Sequence, residues 1–172
     1  MVGRCTRVSS QGRTITEADI VAFAGFTGDF MSLHVDEEYA RTTPFGSRIL
    51  HGNAVLSIAS GLLVRTGAFE GHLGMLGMEF RLPLAVRPGD TIRAELSERS
   101  VRMDSTGRRE VVVYDMTVFN QRNEGVLVGT WTQLRPAAAE PDAMSGPDAA
   151  SGTDATSGLA SPSSDASEES NL

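Results

Sequence analysis

Asp29 stands five residues ahead of His34 in the stretch "GDFMSLHVDEEYA" (residues 28–40), and the chain has only two other histidines, His51 and His72. A carboxylate beside an imidazole is equipment for general acid–base chemistry, because an imidazole takes or gives a proton near neutrality while the carboxylate holds or returns one. The spacing alone does not bring the two together. Five residues across a helix end do not share a helical face. Each residue also has an ordinary use: Asp29 in the turn after Gly28, His34 as a polar flank of a helix. The surrounding elements must supply the geometry.

Thr16 followed by Asp19 makes a capping-box-like start, Ile20, Phe23 and Ala24 recur at helical spacing, and Gly28 can close the helix in a left-handed turn. A second short helix, capped by Asp36, is predicted through Glu37, Glu38, Tyr39 and Ala40. In "TTPFGSR", Pro44 and Gly46 make a loop. The next stretch, "HGNAVLSIASGLLVRTG", carries no charged side chain from Gly52 through Val64. It predicts a central helix largely enclosed by other structure. Four strand-like runs follow at 71–82, 91–103, 109–122 and 125–135, with turn sequences at 87–90, 104–107 and 122–125. In the second run Ile92, Ala94 and Leu96 alternate with Arg93, Glu95 and Ser97, as in a half-buried antiparallel strand. Residues 3–15 read as a short edge strand or arm. Helices followed by a four-strand meander, with one apolar helix needing cover, indicate an α+β class: a curved antiparallel sheet wrapped around a central helix, the hot-dog fold.

At 172 residues the chain suits one domain with a substantial core. From Ala137 onward it reads "AAAEPDAMSGPDAASGTDATSGLASPSSDASEESNL", with seven acidic residues and no Lys or Arg. The other 15 acidic side chains lie in residues 1–136 with all 15 basic ones, so the whole net charge of −7 falls on this tail. A Gly/Ser/Ala/Pro/Asp mixture buries too little apolar surface to offset its ordering entropy. The expectation is a folded domain over 1–136 and a disordered acidic extension over 137–172, solubilising rather than docking. A neutral domain without a basic stripe argues against nucleic acid as a partner. No apolar run of transmembrane length and no leader-like start are present. The single Cys5 cannot form an internal disulfide, and a cytoplasmic protein is expected.

The stretch "TGDFMSLHVDEEYARTTPFGSRILHG" resembles the signature of the MaoC-like (R)-specific enoyl-CoA hydratases, the hydratase-2 family: Gly-Asp, a His and an acidic residue, then Phe-Gly-x-x-Ile-x-His-Gly. The likeness runs through about residues 14–135 and is densest over 27–61. It implies reversible hydration of a trans-2-enoyl thioester, or dehydration of an (R)-3-hydroxyacyl thioester, carried by coenzyme A or an acyl carrier protein and needing no cofactor. Asp29 and His34 would be the acid–base pair acting through one water. Gly52 would supply the backbone N–H that stabilises the thioester oxygen, helped by the helix dipole, and Asn53 would lie beside the substrate. Ser60 aligns with a serine thought to orient the catalytic side chains, although serines also bond back to the carbonyl four residues earlier. His51 is usual in the family and reads as structural; His72, at a strand start, carries no role. Two departures stand out: Met31-Ser32 where Asn-Pro is common, and Asn53 where an apolar residue is usual. They put the acyl group in question and leave room for a specialised acyl or polyketide pathway.

The rival readings are a hot-dog acyl thioesterase and a non-catalytic acyl-thioester-binding subunit of a heterodimeric hydratase. The first commonly needs a carboxylate on the central helix, and Gly52–Val64 has none. The second has no chemical reason to keep both Asp29 and His34. Three scattered histidines and one cysteine offer no metal-ligand spacing. An open meander with Val- and Phe-rich edges such as 109–122 predicts pairing of two copies into a homodimer, with the Met-rich "GMLGM" at 74–78 near an acyl tunnel.

Overall fold

The computed structural model of the protein describes residues 7–137. The expected acidic tail and Cys5 lie outside them. Within them the order is β1 (Arg7–Ser9), β2 (Arg13–Thr14), α1 (Glu17–Thr27), α2 (Ser32–Val35), α3 (Glu37–Arg41), α4 (Gly52–Val64), β3 (Gly74–Arg81), β4 (Thr91–Met103), β5 (Arg109–Phe119) and β6 (Gly125–Pro136). The sheet is antiparallel throughout, in the order β1-β4-β5-β6-β3, and β2 also pairs with β4. It carries α4 on one face, which is the hot-dog arrangement expected.

Local chemistry explains the elements. The Asp19 carboxylate accepts from both the N–H and the hydroxyl of Thr16, starting α1. Gly28 ends α1 with φ 76°, a conformation that costs glycine little. Asp36 caps α3 by accepting from the Tyr39 N–H at 3.0 Å. Along β5 Val112, Tyr114, Met116 and Val118 are buried and alternate with half-buried neighbours. They form one core with Ile92, Ala94 and Leu96 of β4, Leu127 and Trp131 of β6, Ile20 of α1, and Ala54, Val55, Ala59 and Leu63 of α4. The two alanines let α4 approach the sheet closely. Burying each large side chain contributes roughly 1.5–3 kcal/mol.

Three sequence expectations need correction. The β5 run is not an edge: it lies between β4 and β6, and its valines are apolar because both neighbours and the core cover them. The free edges of the path are β1 and β3, and β3 exposes Met75, Leu76 and Phe80. Secondly, α4 is not enclosed on nearly every side. Asn53, Ser57, Gly61 and Val64 form an exposed face, small enough to look buried in a charge-free sequence. Thirdly, the turn assigned to 122–125 starts two residues earlier, with the Asn123 N–H bonded to the Asn120 carbonyl and Asn123 at φ 62°. Among the described residues no helix is long and apolar enough to cross a membrane.

Beyond the C-terminus of α4 the sheet face turns polar. Arg135 pairs with Glu110 at 2.8 Å and Glu98 at 3.2 Å, and His72 Nε2 meets the Tyr114 hydroxyl at 3.0 Å. Burial pushes the His72 imidazole below its ordinary 6.5; the Glu70 carbonyl opposes this and the Arg135 cation adds to it. The fold therefore prefers the neutral ring, and the unfolded chain takes the proton first as pH falls below 6.5. This contribution is complete above pH 6.5 and is lost as pH falls towards the lower folded-state value. Urea midpoints should decline between pH 7 and 5, and His72→Phe should flatten that decline; an unchanged slope in the variant would refute the assignment.

Candidate active site

Two chain segments converge in front of the N-terminus of α4. The first leaves α1 at Gly28. Thr27 Oγ1, already donating to the Phe23 carbonyl, accepts from the Asp29 N–H at 3.3 Å, so the turn is fixed from within the helix it leaves. The Asp29 carboxylate accepts from the Met31 N–H at 3.3 Å and its side chain stays 46% exposed. Ser32 opens the single turn of α2, a position that suits proline equally well, so the loss of the common Asn-Pro leaves the helix intact. His34 follows on α2, 7% exposed.

The second segment, residues 45–52, is pinned to the β3–β4 connection. The Leu50 N–H donates to the Val86 carbonyl at 2.8 Å, and Arg87 donates to the Phe45 carbonyl and to Ser47 Oγ. Arg48 bridges Glu37 of α3 and Glu17 of α1, and its backbone and side-chain hydrogen bonds hold the Glu37 carboxyl below the usual range. His51 then caps α4 and Gly52 begins it.

The segments clasp each other through two hydrogen bonds. His34 Nδ1 lies 2.8 Å from the Ile49 carbonyl, and His51 Nε2 lies 2.9 Å from the Asp29 carbonyl. A carbonyl only accepts, so His34 carries a proton on Nδ1 and His51 carries one on Nε2; the neutral His34 ring then has its lone pair on Nε2. The two imidazoles stack at 3.8 Å, and Phe23 of α1 flanks His51 at 5.1 Å. One carboxylate oxygen of Asp29 and one nitrogen from each of His34 and His51 lie within 4.8 Å of one another. Two histidines and a carboxylate at this spacing resemble a metal-ligand set. However, the His51 nitrogen 4.0 Å from the Asp29 carboxylate carries a proton rather than a free lone pair. The arrangement is suited to moving protons: an acceptor on His34 with a carboxylate beside it.

Of the residues singled out in the sequence, the structure brings Asp29, His34 and Gly52 to one end of α4. Asn53 follows Gly52, exposed, and its side chain makes no hydrogen bond among the described residues. Ser60 lies about 12 Å further along the helix. Its hydroxyl donates to the Leu56 carbonyl at 2.9 Å, as Ser57 does to Asn53 at 2.8 Å, and no hydrogen bond joins Ser60 to Asp29 or His34. The hydroxyls of Ser57 and Ser60 are thus satisfied inside their own helix. His51, read from the sequence as structural, proves to touch both members of the pair; its place just before Gly52 was the available signal. A cavity of about 480 Å³ lined by Arg13, Leu62 and Arg65 lies at the other end of α4 and shares no residue with this cluster.

Comparison with known proteins settles the ancestry. Residues 5–125 match the MaoC like domain. The chain belongs to the MaoC-like family. An (R)-specific enoyl-CoA hydratase of Aeromonas caviae is 36% identical over 105 residues, covering 60% of this chain and 74% of that protein. Among solved structures, a MaoC-like dehydratase from Rhodospirillum rubrum superposes with a TM-score of 0.70 at 29% identity, covering 78% of this chain and 92% of that one. The fold alone is shared with a Mycobacterium tuberculosis protein described as a double hot-dog, at 19% identity and TM-score 0.68, over 85% of this chain and 46% of that one. The chain spans between 25% and 75% of the length of the curated relatives it matches.

In this MaoC-like chain Gly52 sits against Leu82: a Cβ at position 52 would collide with Leu82 Cδ1, the tip of an exposed and flexible side chain. Gly129 differs, since its Cβ would meet the backbone of Glu79 and Phe80 on β3. Gly52→Ala should therefore fold, melting within about 4 °C of wild type on a loss of about 1 kcal/mol, whereas Gly129→Ala should melt much lower. Equal melting temperatures would contradict this packing.

Proposed function

We propose that this chain catalyses reversible hydration of a trans-2-enoyl thioester, or dehydration of the (R)-3-hydroxyacyl thioester, on coenzyme A or an acyl carrier protein. The observation that carries the reading is the convergence of Asp29 and His34 within 4.8 Å at the N-terminus of α4. Groups this close can share one water, each at ordinary hydrogen-bond distance. His34 Nε2 takes one water proton while Asp29 holds the other hydrogen. The hydroxyl adds to C3 of the enoyl group, and negative charge moves onto the thioester oxygen. The Gly52 N–H, at the positive end of α4 and without an acceptor among the described residues, receives that charge. His34 then returns the proton to C2, so water is consumed and the pair ends as it began. Asn53 lies beside this path. Ser60 could act only through its lone pairs, since its proton is committed to Leu56. No cofactor enters the chemistry. The absence of any carboxylate from Gly52–Val64 keeps the thioesterase reading second.

Purified protein should consume a short trans-2-enoyl-CoA, followed by loss of the enoyl-thioester absorbance. Asp29→Asn at unchanged melting temperature, and His34→Ala in protein that still folds but melts lower for the loss of its buried bond to the Ile49 carbonyl, should each lower kcat/KM by about 10²–10⁴-fold. Failure with both coenzyme A and carrier-bound enoyl substrates, or full activity in either variant, would sink the proposal.

The same reading includes a cytoplasmic homodimer. The β3 edge with Met75, Leu76 and Phe80, together with the open face of α4, offers a second copy both unpaired backbone and apolar surface. Sedimentation should give a dimer, and Leu76→Asp should shift it towards monomer; a wild-type monomer would refute this part.

A further inference from the structure

We infer that His51 is a positioning residue for the Asp29–His34 pair, acting through one hydrogen bond to the main chain of residue 29 and one ring stack on His34. This rests on the hydratase reading and deepens it. Asp29 has little to hold it in place. Its side chain is half exposed, and the hydrogen bond its carboxylate accepts from the Met31 N–H is long at 3.3 Å. The direction of that side chain is therefore set by the backbone of residue 29. The backbone in turn is tied down by the His51 Nε2–H, which donates to the Asp29 carbonyl at 2.9 Å.

His51 can do this because it is itself closely packed. It is 2% exposed, caps α4, and is packed between Phe23 at 5.1 Å and His34 at 3.8 Å. The near-parallel stack, with planes 24° apart, also fixes the rotation of His34 about the axis that aims its Nε2. One ring thus constrains both partners. Its carboxylate distance, 4.0 Å, is too long for a hydrogen bond, so His51 works through the carbonyl and not as a second acid or base.

An unpaired atom supports the same conclusion. His51 Nδ1 is buried and has no hydrogen-bond partner among the described residues. A phenylalanine would stack equally well without leaving a buried acceptor unsatisfied. A ring chosen only for packing gains nothing from this imidazole. The bond to Asp29 is what an imidazole adds.

The test separates the two contacts. His51→Phe keeps a ring and loses the hydrogen bond; His51→Gln keeps an N–H near the Nε2 position and loses the ring. Nuclear magnetic resonance of the imidazole nitrogens in the wild-type chain, with no substrate present, should show His51 as the Nε2–H tautomer and His34 as the Nδ1–H tautomer. In His51→Phe the amides of Phe30 and Met31 should exchange at least about tenfold faster than in wild type, and in His51→Gln by less. With an enoyl-CoA substrate, His51→Phe should lose about 100-fold in kcat, the scale of a misplacement near 1 Å, with KM within about threefold. His51→Gln should recover most of that loss. A His51 Nδ1–H tautomer, unchanged exchange in the Phe variant, or a Gln variant no better than Phe would each overturn the inference. If the wild-type protein turns over no enoyl thioester, the hydratase reading fails. The tautomers and amide exchange still decide whether His51 holds Asp29.

Discussion

Two hydrogen bonds running in opposite directions hold the centre of this protein together: His34 to the carbonyl of residue 49, and His51 to the carbonyl of residue 29. Each joins a side chain of one segment to the main chain of the other. Neither segment could keep its shape alone, since α2 is one turn long and residues 42–51 contain no regular element. Because both rings are buried, each bond forms where the local dielectric is low and neither has water as a ready alternative. The net contribution of each is about 1 kcal/mol. Breaking either would strand a polar atom inside the protein, and that asymmetry makes the geometry close to all-or-none.

The rest of the fold serves this contact. The sheet provides a stiff surface, and Ala54 and Ala59 let α4 lie close against it, which sets the height of His51 and Gly52 above the core. The link from Leu50 to Val86 and the Arg87 contacts carry that position over from the β3–β4 connection. Arg48 ties α1 and α3 to the same loop. At the far end of the sheet a second polar group, Arg135 with its two glutamates and the His72–Tyr114 pair, lies under the segment that leaves α4. The helix is therefore held at both ends by polar contacts and along its middle by apolar ones.

The amino-acid sequence made much of this fold legible, for identifiable reasons. The Thr16–Asp19 cap, the Gly28 stop, the charge-free run of α4 and the alternation in β4 are local signals, and each marks its element well. Sheet order was not legible. A valine-rich strand looks the same whether it is central or awaiting a partner, so β5 reads as an edge although it is central, and β3, broken by glycines, is an edge together with β1. The open face of α4 was hidden because small residues such as Gly61 and Ser57 do not announce exposure. The proximity of Asp29 and His34 could be anticipated only through family resemblance, since what joins them is a tertiary bond to main-chain atoms about 15–22 positions away. No spacing rule encodes such a bond. The contact that His51 makes was hidden for the same reason: its partner is a carbonyl, and every residue has one.

That both histidines bind carbonyls also bears on how such a site can change over evolutionary time. A side chain that grips another side chain must co-vary with it. One that grips the backbone leaves its partner position free. Residue 49 can exchange one apolar side chain for another, and reshape whatever packs beside it, without altering the oxygen that fixes the tautomer of His34. On the proposed hydratase reading, the atoms that would handle protons and the walls around them are specified by separate parts of the chain, and substrate preference could drift while the chemistry stays in place.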